Sequence, residues 1–276
     1  MKDIDLLTCT NINMKRVKLF LKQNDKCMEL ASTIESKLKD NGFEIVDKDF
    51  DLGIAVGGDG TFLRMVNNSH FQEDAFYVGI NAGTLGFAQE ISVEEIDAFI
   101  ESLKTGDFYY EEVGIQESII KTKEEERVMP SINEIVIRER DLNVIHLDVL
   151  VDGHLLESFA GDGLLISTSF GSTAYNRSCG GCIVENTLNT LQITPIAPTN
   201  NKNYQSLTSS ILLSGDREIE LIPTSKTKDC LLIIDGDNYP FEDVLSIKTK
   251  VDQKKVKIIR KKEYNFIQKV NEKLIQ

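Results

Sequence analysis

Apolar residues recur at two spacings along this chain, and the change from one to the other divides it. Between Lys26 and Leu38 they fall at helical intervals, at Met28, Ala31, Ile34 and Leu38, which predicts an amphipathic helix with one inward face. Asn41-Gly42 then offers the left-handed cap that ends it. Short apolar runs at 3–9, 43–46, 52–56 and 77–80 read as strands. A short helix is predicted after Gly60, with Phe62, Leu63 and Val66 inward. Ser92-Val93-Glu94-Glu95 opens another helix as a capping box, and Gly106 closes it. Strands alternating with helices through glycine-rich turns predict a Rossmann-like α/β domain with an open sheet over residues 1–108.

Past residue 108 the helical spacing disappears. Strand-like runs follow at 115–122, 132–138, 144–151, 154–159 and 164–168, then at 191–195, 210–213, 218–222 and 231–234. Asp152-Gly153 reads as a tight hairpin turn, and the charged run Lys121 to Arg127 as a solvated hairpin loop. The pattern predicts an all-β sandwich over 109–252. One helix is expected inside it, at Ser172 to Arg177 ahead of Gly180-Gly181, with free amides at its start. Residues 256–260 read as a strand and 263–274 as a short polar tail. The segment 253–276 is a candidate to return to the first domain.

Charge narrows the partners. Lysine and arginine number 31 and aspartate and glutamate 44, a balance of 31 − 44 = −13, which disfavours nucleic acid and anionic membrane. No apolar run reaches the ~18 residues a transmembrane helix needs. Met1-Lys2-Asp3-Ile4-Asp5 is too acidic for a secretory signal, so a cytoplasmic protein is expected. The five cysteines, Cys9, Cys27, Cys179, Cys182 and Cys230, are too scattered for a disulfide framework. Cys179-Gly180-Gly181-Cys182 has CxxC spacing, yet no second ligand pair accompanies it. It reads as two thiols flanking a Gly-Gly bend. His70, His146 and His154 show no partner pattern.

The chemistry concentrates in Gly57-Gly58-Asp59-Gly60-Thr61, an acidic glycine turn between an apolar strand and a helix. Glycines let backbone amides approach an anion, and the helix start adds positive potential. A carboxylate among phosphate-binding amides is suited to accept a proton from an attacking hydroxyl or to help hold Mg²⁺. The turn lacks the Gly-Lys-Ser/Thr ending of a Walker A loop and the G-x-G-x-x-G spacing of a dinucleotide fingerprint. Asn81-Ala82-Gly83, continuing to Phe87, would sit at the same sheet edge. Asn133-Glu134 offers both donors and acceptors to a diol. Gly161-Asp162-Gly163 and Asp235-Gly236-Asp237 read as further acidic turns. Thr173, Ala174 and Tyr175 lie on a polar loop able to meet a purine or ribose.

In this order, across roughly residues 50 to 240, these pieces resemble the NAD kinase family, with Pro195-Ile196-Ala197-Pro198 in the expected place. The resemblance implies phosphoryl transfer from ATP, or in some members polyphosphate, to the 2′-hydroxyl of the adenosine ribose of NAD, giving NADP. It also implies Mg²⁺ or another divalent cation. It implies a dimer or homotetramer in which a neighbouring subunit helps complete the NAD pocket. By match, Asp59 would be the base, and Gly57, Gly58, Gly60 and Thr61 would hold phosphate. Asn133 and Glu134 would bind the NAD ribose region, and Thr173, Ala174 and Tyr175 would line the adenine–ribose pocket. Asp162 would reach the nicotinamide portion across a subunit interface, Asn81 and Phe87 would be pocket wall, and Asp235 occupies a family position of less defined role. No protein metal site is expected. Three positions depart from the family: Ala160 stands for an arginine, Phe170 for a small hydroxyl residue and Thr199 for a histidine. A kinase acting on a lipid or another small alcohol would keep the turn at Asp59 without needing Asn133-Glu134. A non-catalytic NAD sensor would not need Asp59.

Overall fold

The structure, a computed structural model, describes residues 7–8, 14–83, 86–202, 205–227 and 229–275. The chain divides into two compact units, one of residues 1–113 and 255–276 and one of residues 114–254.

In the first unit a parallel sheet runs, in order, from the C-terminal part of strand Val244–Arg260 through Phe76–Asn81, Leu52–Gly57 and Arg16–Leu21 to Glu44–Ile45. Strand Leu52–Gly57 is buried along its whole length, as a central parallel strand covered on both faces must be. Helix Asp25–Asp40 is capped by Asn24, whose side chain accepts the Cys27 N–H. Its buried stripe is Cys27, Ala31, Ile34 and Leu38, whereas Met28 is 55% exposed, so the inward face begins one residue earlier than the sequence suggests. Helix Asp59–Asn68 buries Phe62, Met65 and Val66, with Met65 taking the place expected of the half-buried Leu63. The Ser92–Glu95 capping box is present, and Gly106 ends helix Ile96–Thr105 at φ 70. Among residues 3–9 only Leu7–Thr8 is described, a strand paired with Tyr109–Tyr110; the rest of that predicted strand, with Cys9, lies outside the described residues. Two elements escaped the periodicity. Arg16–Leu21 fully buries only Val17, so its apolar signal is diluted. Residues 266–274, expected as polar tail, form a helix capped by Asn265 and docked through Phe266 and Lys269.

The second unit is antiparallel throughout. Asp152-Gly153 and Asp235-Gly236 each close a two-residue hairpin with both φ values positive, the I′ geometry that matches strand twist. The charged run at 121–127 is mostly strand, because Lys121 pairs with Glu126. Gly161-Asp162-Gly163 is not a turn. It lies within one fifteen-residue strand, His154–Thr168. That strand pairs with Ile145–Val151 along its first part. Along its second part it pairs with Glu134–Glu139 and Thr190–Pro198. The glycines serve close backbone approach: a Cβ on Gly163 would meet the Ile137 carbonyl oxygen at 2.8 Å, and one on Gly161 the Ala197 oxygen at 3.0 Å. The core of this unit joins Ile135, Ile137, Leu164, Ile166, Leu232 and Ile234 with Ile120 and Ile247. Among the described residues no helix is long and apolar enough to cross a membrane.

Candidate functional site

In the first unit the site residues gather at the carboxyl ends of two neighbouring parallel strands, with Gly57 directly paired to Asn81. Open α/β sheets place ligands at that edge. Helix Asp59–Asn68 starts there behind Gly58, an N-cap with no side chain to bond the first-turn amides. Gly57 is required by space, since a Cβ would sit 2.5 Å from Thr61 Oγ1, whereas nothing lies within 4 Å of a Cβ on Gly58 or Gly60. Asn81 folds its own loop, accepting the Gly83 N–H at 2.9 Å and donating to the Gly83 carbonyl at 2.8 Å.

Asp59 is held from two sides. Its Oδ2 accepts the Phe87 N–H at 2.9 Å and its Oδ1 the Ala88 N–H at 3.0 Å. Gly86 packs so tightly on this carboxylate that any Cβ there would overlap it. The segment predicted as pocket wall thus grips the aspartate through its backbone. The Phe87 ring meanwhile sits 6.5 Å from that of Phe266 on the C-terminal helix.

In the second unit the Asp235 hairpin anchors Asn133-Glu134. The Asp235 carboxylate accepts N–H groups from Ile132 at 2.9 Å, Asn133 at 2.8 Å and Glu134 at 3.3 Å. The undefined family position therefore shapes the backbone of its neighbour. Phe170 to Thr173 form a 3₁₀ turn, and a four-residue helix, Tyr175–Ser178, follows after Ala174 breaks the geometry at ψ −132. The single helix expected from Ser172 is therefore two short pieces. Gly171 seats the first against Asn133, whose carbonyl a Cβ would overlap. Thr173 and Ala174 are half-buried and Tyr175 is 38% exposed. Asp162 is exposed on its strand.

Glu134 is 6% exposed, and among the described residues its Oε2 has no hydrogen-bond partner. Burial, then the neighbouring Asp235 charge, push its carboxyl up to about 8. Burial also raises Asp235 to about 6, against the lowering effect of the three amides it accepts. A protonated Glu134 would be a donor as well as an acceptor, which suits a ribose diol. Both groups bind protons more tightly in the folded chain than unfolded. Their stabilisation is full below the reference values of 4.5 and 3.8 and is lost as pH rises through about 8 and about 6. The melting temperature is therefore expected to fall between pH 4.5 and 8, and Glu134→Gln to flatten that fall. An identical slope in the variant would contradict the assignment.

Sequence reading missed Arg138. Two strand positions on from Val136 and four from Glu134, it shares their face by the period of two. Its Nη2 donates to the Tyr175 hydroxyl at 2.9 Å, and its buried Nε has no partner among the described residues. Ala160, where the family's arginine would stand, is fully buried. Its N–H donates to Ser206 Oγ at 3.0 Å and its carbonyl accepts the Thr199 N–H at 2.7 Å, so two of the three departures bond to each other. Phe170, the third, is buried at 8% exposure. Cys179 and Cys182 are free thiols around Gly180 at φ 88, and burial pushes the Cys179 thiol up. Among the described residues no cluster of three or more His, Cys, Asp or Glu is arranged to hold a metal ion.

Residues 7–108 match the family described as ATP-NAD kinase N-terminal domain, and residues 132–260 the ATP-NAD kinase C-terminal domain. The chain is 37% identical over 243 residues to the NAD kinase of Finegoldia magna, covering 85% of this chain and 88% of that protein. To NAD kinase 2 of Bacillus subtilis it is 31% identical over 260 residues, covering 93% and 96%. The crystal structure of yeast NADH kinase complexed with NADH superposes with a TM-score of 0.83 at 21% identity, covering 97% of this chain and 92% of that one. An NAD kinase from Archaeoglobus fulgidus in complex with ATP gives 0.71 at 23% identity, covering 90% and 94%. At those identities the two structural likenesses are likenesses of fold.

Proposed function

The chain belongs to the NAD kinase family, a family of phosphotransferase enzymes, and from that premise we propose that it transfers the γ-phosphoryl group of ATP to the 2′-hydroxyl of the adenosine ribose of NAD, giving NADP and ADP. The observation that carries the reading is the Asp59 carboxylate, pinned by the Phe87 and Ala88 amides beside a glycine turn at a parallel-sheet edge.

Asp59 accepts the ribose proton in this reading. A sugar hydroxyl is a far weaker acid than a carboxylic acid, so the proton moves as the new P–O bond forms. Gly57, Gly58, Gly60 and Thr61 hold phosphate, with the uncapped helix start favouring its negative charge. Asn81 and Phe87 shape that end. On the NAD side, Asn133 and Glu134 take the ribose, and Asp235 keeps their backbone in place. Thr173, Ala174 and Tyr175 line the adenine–ribose pocket. In a dimer or tetramer, the exposed Asp162 contributes to a neighbouring copy's NAD pocket.

The divalent cation fits as a companion of the triphosphate. Mg²⁺ with nucleotides keeps phosphate oxygens and waters as most of its ligands, and both Asp59 oxygens already accept backbone amides. Bound there, the cation would neutralise charge on the transferring phosphate.

The test is purified protein with NAD, ATP and Mg²⁺, reading NADP formation, then exchanging NAD for NADH and ATP for polyphosphate. NADP formation is the expected result. ATP consumption that requires another alcohol and yields no NADP would overturn the reading.

A further inference from the structure

The segment that grips Asp59 is itself gripped from behind. Phe87 and Ala88 hold the carboxylate, and the next two residues, Gln89 and Glu90, are buried at 0% and 6% exposure. From the C-terminal helix, Lys269 Nζ donates to the Gln89 carbonyl at 2.9 Å and to Glu90 Oε2 at 2.9 Å. Arg260, fully buried, reaches the same Glu90 oxygen at 3.3 Å. Its Nη2 and Nε reach Glu111 Oε2 at 2.7 and 3.0 Å. The Lys261 N–H donates to Glu90 Oε1 at 3.2 Å. Tyr264 lies beneath both cations, 4.6 Å from the Arg260 guanidinium and 5.3 Å from Lys269 Nζ. The Gln89 amide packs on Gly79 with no room for a Cβ between them.

A buried ion-pair network is a poor way merely to dock a helix, since apolar residues of equal volume often serve as well or better. This one is biased toward the reaction centre. Glu111 is matched by Arg260, while Lys269 joins the Gln89 carbonyl to Glu90. Lys269 also feels the Asp59 charge. Burial draws its ammonium down to about 8 against the raising fields of Glu90 and Asp59, with Arg260 lowering it further.

We propose that Lys269 is a positioning residue for Asp59: its buried ammonium locks the Gln89-Glu90 backbone, and so fixes the Phe87 and Ala88 amides that aim the carboxylate. The idea rests on the reading of Asp59 as proton acceptor. A misplacement of about 1 Å at such a group costs ~10²-fold in rate. Ground-state binding of NAD and ATP does not depend on where the proton goes.

Lys269→Gln keeps hydrogen-bonding reach without charge, and Lys269→Arg keeps the charge. Both are assayed beside the wild-type protein in the NADP-forming reaction, with thermal melts of each. The expected result is a kcat reduced ~10- to 100-fold in Lys269→Gln, KM for NAD and ATP within about twofold, and recovery of most of the lost kcat in Lys269→Arg. A Lys269→Gln kcat within twofold of wild type overturns the proposal, as does a fall in kcat matched by a parallel rise in both KM values. If Lys269→Gln does not fold, the same split is read on Lys269→Met, which keeps the volume of the side chain without its charge: a kcat reduced at unchanged KM supports the proposal, and a kcat within twofold of wild type overturns it. A wild-type protein that forms no NADP indicts the assignment of function instead.

Discussion

Asp59→Asn is expected to lower kcat for NADP formation by ~10²- to 10⁴-fold, the usual reach of a positioned proton acceptor, while NAD still binds. The substitution keeps the shape of the side chain and removes its basicity. It also places an amide NH₂ where one of two backbone donors now points, because the Phe87 and Ala88 amides occupy both carboxylate oxygens. One of those contacts becomes donor against donor, so the loop should loosen as the base is lost. NAD recognition is assigned to residues of the second unit, which Asp59→Asn leaves alone. Turnover by coupled assay and NAD binding by calorimetry separate the two. Near-wild-type turnover in the variant would remove Asp59 from its role.

Gly171→Ala is expected to be the most damaging change of a single methyl in the second unit. The new Cβ would overlap the Asn133 carbonyl, and its carbon and Cα lie within van der Waals distance as well. Backbone cannot swing aside as a long side chain can, so either the Phe170–Thr173 turn or the Asn133-Glu134 segment must move. Overpacking of this kind costs ~1–3 kcal/mol or more. NAD affinity should fall at least ~10-fold, a fold-change equal to ~1.4 kcal/mol, because both displaced segments carry residues assigned to NAD. Gly180→Ala is the informative contrast. Gly180 has φ 88 and nothing within 4 Å of its Cβ position, so only local strain of about 1 kcal/mol is expected there. Urea unfolding and NAD titration of both variants give the measurement, and a Gly171→Ala protein as stable and as tight-binding as Gly180→Ala would refute the steric argument.

Much of the fold was legible because its signals are local. The apolar run ending at Gly57, the Ser92–Glu95 box, the Gly106 stop and the Asp-Gly hairpins at 152 and 235 each follow from the conformational limits of a few adjacent residues. The failures share a cause too. Gly161 and Gly163 looked like turn glycines, yet they lie in an extended strand and serve close contact with other strands. A glycine needed for positive φ and one needed for space are the same letter. Residues 266–274 looked like a tail because the buried side chains of that helix are a single apolar one, Phe266, and a lysine. Lys269 carries no apolar signal until its partners are known.

The sequence by itself determined the local geometry around Asp59. A strand, a glycine turn and an aspartate at a helix start are contiguous residues, and their geometry follows from backbone sterics and hydrogen-bond needs. The tertiary structure alone decided which polar groups hold one another. Asp59 with the Phe87 and Ala88 amides, Asp235 with Ile132 to Glu134, Gly171 against Asn133, and Lys269 with Gln89 and Glu90 are pairings of residues far apart in the chain. A carboxylate or an ammonium accepts many partners equally well, and only the path of the folded backbone, which withdraws water and brings one set of groups within about 3 Å, selects among them.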